Sequence, residues 1–129
     1  MALIVLSHTP TDEEILRAVS GWVELLSEER YEEAFEAVRR RSHWTARLMQ
    51  IVITNYGDSS RDEPGAHRVT PPSAAKGDPT HEVDRFDGGR VKVWYDLPLD
   101  GEWSDLTALF DLTEEAAGRV LELDDLHIM

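Results

Sequence analysis

The chain has 129 residues, no cysteine and a formal net charge of −13. That length suits one domain, the lack of cysteine excludes disulfides and thiolate catalysis, and the acidic excess argues against nucleic acid, which binds basic surfaces. The apolar run at residues 2–6 is too short for a signal-peptide core or a membrane span, and it is predicted to be a short buried strand or a packed arm. We therefore expect one cytoplasmic domain, residues 1–129, with neither a nucleic-acid nor a membrane partner.

Three helices are predicted in the first half of the chain. Thr11 and Glu14 form a capping box, and the apolar residues that follow lie on one helical stripe: Ile15, Val19, Trp22, Val23 and Leu26. Ser27 is predicted to cap a second helix, which ends near the arginine triplet at 39–41. Ser42 is predicted to cap a third helix that stops at Gly57. Its predicted buried stripe is Trp44, Leu48, Ile51, Val52 and Tyr56, although the β-branched residues 51–53 also fit a strand.

Residues 58–79 carry four prolines and no hydrophobic period. Such a segment buries too little surface to offset its ordering entropy, so a mobile loop is predicted at about 58–79.

The second half of the chain predicts antiparallel strands. Residues 91–112 read as a hairpin, because apolar and polar residues alternate on both sides of Asp100-Gly101, a pair that favours a tight turn. Two further strands are predicted at 80–86 and 119–129, the latter with a bulge at Asp124-Asp125. The prediction is an α+β fold with three N-terminal helices on one face of a curved antiparallel sheet of about four strands.

One face of the hairpin is predicted to be the core side, and the other carries two tryptophans. The apolar side consists of Val91, Val93, Tyr95, Leu97, Leu106, Ala108, Phe110 and Leu112. The opposite side is predicted to form a binding surface made of Trp94, Trp103, Asp96, Asp105, Thr107, Leu109 and Asp111. Two tryptophans on a solvent-facing side indicate a protein interface, or else a surface that the long loop or another strand covers.

The net charge of the C-terminal part and the candidate catalytic residues bear on the kind of partner or substrate. Residues 91–129 hold ten acidic and two basic residues, a net charge of −8, which favours a partner with a basic face. The candidates for moving a proton are Tyr95, Asp105 and His127, the last beside Asp125. The five histidines show no helical metal spacing, so neither a metal site nor a cofactor is predicted.

The order of elements, three helices followed by long antiparallel strands, is similar to the NTF2-like cone fold (cystatin-like). The segment DLPLDGEWSDLTALFDL and the ending LELDDLHIM also resemble C-terminal modules of small bacterial proteins that have no assigned function. The cone-fold resemblance implies an isomerase or dehydratase, a binding module, or an immunity protein of a toxin system. Catalytic members place a carboxylate or histidine on the pocket side of the sheet, whereas this side is apolar here apart from Tyr95.

The sequence therefore predicts a non-enzymatic bacterial protein that binds another protein through its sheet face. The partner is expected to be a second copy, giving a homodimer, or a basic protein such as a toxin, which the chain would neutralise in an immunity-like role. The alternative is a small-molecule binding protein, or an isomerase- or dehydratase-type enzyme, that uses a pocket between helices and sheet.

Overall fold

A computed structural model describes residues 3–40, 43–56, 58 and 60–128. Three helices, α1 (Asp12–Ser27), α2 (Tyr31–Ala37) and α3 (Ala46–Thr54), lie within this part of the chain. The strands are β1 (Val5–Leu6), β2 (Arg39–Arg40), β3 (His81–Arg85), β4 (Val91–Leu99), β5 (Glu102–Glu115) and β6 (Gly118–Ile128). Short 3₁₀ turns occur at Pro72–Ala74 and Asp87–Gly89. The α+β class is confirmed.

The strands form one curved sheet in the order β1-β6-β5-β4-β3, with antiparallel neighbours. Strand β2 runs parallel to β6. The described residues thus form six strands rather than about four, because β1 and β2 have only two residues each, too few to show a period in the sequence. The prediction that the arginine triplet ends a helix is wrong for Arg39 and Arg40, which pair with Glu122 and Leu123.

Helix α1 follows its prediction closely. Thr11 and Glu14 form the reciprocal capping box, and every residue of the predicted stripe is buried. Trp22 packs edge-on against Phe110, with 5.1 Å between ring centroids, and its indole nitrogen donates to the Ala34 carbonyl. These contacts hold α1 and α2 on the apolar face of the sheet. Ser27 is the last residue of α1 and does not cap α2.

Helix α3 differs from its prediction in which side it buries. Thr45 caps the helix by accepting from the Leu48 amide, whereas Ser42 and Gly57, the predicted cap and stop, lie outside the described residues. Residues 51–53 are helical. Met49 and Ile53 are fully buried, while most of the predicted stripe is only half-buried.

The central hairpin is confirmed. Asp100 and Gly101 take φ values of 52° and 92°, which give the tight turn between β4 and β5. The predicted bulge in β6 is also present, because Leu109 pairs with Asp125 but Phe110 pairs with Leu123, leaving Asp124 as the extra residue. Along the predicted loop, Val69 is buried and forms a bridge to Leu99.

Candidate functional site

The sheet face opposite the helices is the first candidate site, and we call it the outer face. Side chains alternate between the two faces along each strand, so residues that pair across the strands from β3 to β6 share a face. One row is Glu82, Trp94, Leu109 and Asp125, and the next is Asp96, Thr107 and His127. Thr107 and Leu109 are only 2% and 9% exposed, so the centre of the face is closely packed.

The two tryptophans do not share this face, contrary to the sequence prediction. The ladder shifts between Asp96, which pairs with Thr107, and Pro98, which pairs with Trp103. The Ser104 hydroxyl stabilises the irregularity by donating to the Leu97 carbonyl. The ring contacts of Trp103 with His81 and Tyr95 place it on the helix side, where it packs against the core, whereas Trp94 stays on the outer face. Counting alternate residues through this irregular stretch caused the error.

On the helix side, Trp103 belongs to an aromatic cluster with His81 and Tyr95. The His81 ring stacks on Tyr95 at 3.8 Å, and Trp103 meets the two rings edge-on at 5.1 and 6.0 Å. The buried Nδ1 atom of His81 has no hydrogen-bond partner among the described residues, and burial lowers the pKa of this imidazole. Sequence reasoning missed His81, although its alternation with Val83 places it on the core side of β3.

Four carboxylates on or beside the outer face have no cationic partner among the described residues. They are Glu82, Asp84, Asp96 and Asp105. Three of them accept hydrogen bonds from neutral donors. Asp84 accepts from the Trp94 indole at 3.0 Å, Asp96 from the Thr107 hydroxyl at 2.7 Å, and Asp105 from the Tyr56 hydroxyl.

The charges on the outer face repel one another where no cation intervenes. A hydrogen bond to Asp84, together with the charge of that group, raises the pKa of Glu82. By contrast, Asp111, a predicted binding residue, is paired with Lys92 at 2.9 Å, and both side chains are largely buried. Asp111 therefore contributes less uncompensated charge than the other acidic residues predicted to bind.

The three catalytic candidates are not brought together. Tyr95 is 1% exposed on the helix side, where its hydroxyl lies 2.7 Å from the Ser20 hydroxyl, and burial raises its pKa. Asp105 bonds to Tyr56, and His127 lies across the sheet from Thr107 with its Nδ1 atom 2.8 Å from Asp125. A tyrosine on one face and a histidine on the other cannot act on one substrate atom.

A second candidate site is a groove of about 360 Å³ between α3 and the ends of β5 and β6. Its walls are apolar and its rim is polar. The walls are Leu48, Ile51, Val52, Leu106, Leu126 and Ile128, and the rim is Asn55, Asp58, Arg61 and His127. The sequence contained a signal for it: α3 is apolar on two sides, and while Met49 and Ile53 are fully buried in the core, Leu48 and Val52 stay half-buried and line the groove.

Metal clusters and membrane-spanning helices are both absent from the described part of the chain. No group of three or more metal-ligating side chains gathers within residues 3–40, 43–56, 58 and 60–128. No helix in that part of the chain is long and apolar enough to cross a membrane.

The fold and site define the chain as a small α+β domain with an acidic sheet face. Residues 23–129 match the model of a family described as a domain of unknown function (DUF7668), and the chain belongs to that family. No curated protein and no solved structure matches the chain.

Proposed function

We propose that this protein is a non-enzymatic protein-binding module whose outer face binds a basic protein. The observation that supports the proposal is the set of four carboxylates, Glu82, Asp84, Asp96 and Asp105, that lack a cationic partner among the described residues. A cationic surface would neutralise all four and relieve the repulsion between Glu82 and Asp84, so its binding is electrostatically favourable.

The half-exposed Trp94 indole supplies the apolar part of the surface. Its ring pairs with Leu109 across the ladder and is fixed by the hydrogen bond to Asp84. A rigid aromatic side chain buries a large area at little entropy cost, which is why tryptophan is frequent at the centres of interfaces. The aspartates around it would then set orientation by charge.

Of the two partners that the sequence suggested, the geometry favours the basic protein over a second copy. With Trp103 on the helix side, the outer face offers one tryptophan instead of two. A symmetric dimer through this face would also oppose the same uncompensated carboxylates. An immunity-like role, in which the partner is a cationic toxin, belongs to this proposal, as do a cytoplasmic location and kinship with the cone fold.

A growth assay tests the proposal. The reading frames beside this gene are expressed singly and together with it, and growth arrest that this protein relieves identifies the partner. The variant Asp96→Lys/Asp105→Lys should fail to relieve the arrest, whereas Glu32→Lys/Asp62→Lys, with the same charge change away from the outer face, should still relieve it. Equal protection by both variants would contradict the proposal.

The groove beside α3 favours a second candidate function, the binding of a small molecule with an apolar body. Its volume falls in the range of ligand pockets, and its rim offers Asn55, Arg61 and His127 as polar contacts. A thermal-shift screen of amphipathic compounds tests this function. A hit should lose its effect in Val52→Asp, and a screen without any stabilising compound would remove the candidate.

A further inference from the structure

Strand β3 forms the last position of the sheet, and within the described residues no strand pairs with its far side. Among the described strands, its five residues, His81–Arg85, pair with β4 alone. All five are exposed or half-buried, so this edge is accessible to another chain.

The hydrogen-bond pattern shows which backbone groups the edge presents. The Asp96 amide donates to the Thr80 carbonyl at 3.2 Å, and the Phe86 amide donates to the Arg90 carbonyl at 2.8 Å. In an antiparallel pair these bonds recur at every second residue, so Glu82 and Asp84 also turn their backbone groups toward β4. The residues between them, His81, Val83 and Arg85, therefore direct their N–H and C=O groups outward.

The side chains along the edge select the kind of strand that can be added. Glu82 and Asp84 lie on the outer face, two positions and roughly 7 Å apart, and neither has a cationic partner among the described residues. A second copy pairing edge to edge would bring like charges together, which is how natural sheets discourage self-association. A strand with lysine or arginine at alternate positions would instead place cations beside both carboxylates.

We propose that an extended, lysine- or arginine-bearing segment of the basic partner adds to β3 as a further strand of the sheet. The inference rests on the proposed function, because the segment belongs to the protein that the outer face binds. Main-chain bonds to His81, Val83 and Arg85 supply affinity, and Glu82, Asp84 and Trp94 supply the preference for cations.

A peptide titration followed by amide NMR tests the proposal on the full chain. The probe is an acetylated nonapeptide of alternating lysine and threonine, and its control carries N-methyl groups on the residues that would face β3. The probe should shift the amide signals of His81, Val83 and Arg85 and slow their hydrogen exchange, and the N-methylated control should bind at least tenfold more weakly.

A variant with the charges of the β3 edge reversed serves as the matched control. Glu82→Lys/Asp84→Lys should lose the lysine peptide and gain an otherwise identical glutamate peptide, a result that a misfolded variant could not give. Equal binding of the N-methylated control, or shifts confined to Asp96, Thr107 and Asp105, would overturn the edge proposal and leave the outer face as the binding surface. Shifts at the edge combined with growth protection by Asp96→Lys/Asp105→Lys would instead retain the edge and refute the proposed face.

Discussion

A double-mutant cycle tests the separation of the two tryptophans by the sheet. Trp103 lies edge-on to His81 at 5.1 Å on the helix side, whereas Trp94 is fixed to Asp84 on the other face. An aromatic pair of this geometry is worth about 1 kcal/mol beyond its buried area. We therefore expect Trp103→Ala and His81→Ala to couple by about 1 kcal/mol, and Trp94→Ala and His81→Ala to couple by less than about 0.4 kcal/mol.

Urea unfolding at pH 8, where the lowered pKa keeps His81 neutral, measures both cycles. Trp103→Ala alone should reduce the free energy of unfolding by about 3 kcal/mol, the lower end of the range for truncating a buried aromatic side chain, because the ring is partly exposed. Equal coupling in the two cycles, or coupling only with Trp94, would refute the placement of the two rings on opposite faces of the sheet.

The remaining predictions concern pH and two glycines. Burial lowers the pKa of His81 below its ordinary value of 6.5. When the pH falls through 6.5, His81 therefore takes up a proton in the unfolded chain before it does so in the folded chain. The free energy of unfolding should be highest above pH 6.5 and decrease as pH falls toward the folded-state pKa, and His81→Asn should flatten this dependence in urea titrations; identical slopes would contradict it. Gly118→Ala should lower the free energy of unfolding by more than about 2 kcal/mol, since Gly118 has a φ of 150° and an added Cβ would lie 2.0 Å from the Leu6 carbonyl oxygen. Gly21→Ala, whose Cβ would meet no atom within 4 Å, should instead stabilise α1 by up to about 1 kcal/mol, and the reverse order of the two variants in thermal melts would refute this account.

The sequence predicted those parts of the fold that depend on local patterns. The capping box at Thr11 and Glu14, the α1 stripe and the Asp100-Gly101 turn are each set by residues within a few positions of one another. Local chemistry of this kind is visible without knowing the tertiary structure. The bulge at Asp124 was also predictable, because the apolar period of β6 changes parity there.

What the sequence could not predict depends on long-range pairing. Strand β2 exists only because β6 offers it a partner, and two residues carry no period. The apolar run at 2–6 left a short strand or a packed arm open, and the pairing of Val5 and Leu6 with β6 decides for the strand. The hairpin is irregular near Pro98, where Trp103 lies on the helix side, and a Ser104 hydroxyl bond that no spacing rule predicts lies in this stretch. A candidate site built by counting alternate residues fails where a bulge intervenes.

The acidic residues predicted to bind differ in their partners. Lys92 neutralises Asp111, while Asp96 and Asp105 have only neutral donors among the described residues. Glu82 and Asp84, the other two carboxylates without a cationic partner in the described part of the chain, precede the acidic segment 91–129. Composition gives the excess of charge, and only the fold shows which carboxylates lack a cation.

The acidic-face proposal is tested most directly by titrating the partner identified in the growth assay against wild-type protein and two matched variants. Calorimetry at low and physiological salt should show binding that weakens with salt, since interactions between exposed charges are screened over about 8 Å at physiological ionic strength. Binding should be lost in Asp96→Lys/Asp105→Lys and kept in Glu32→Lys/Asp62→Lys. Salt-independent binding that both variants retain would contradict the proposal.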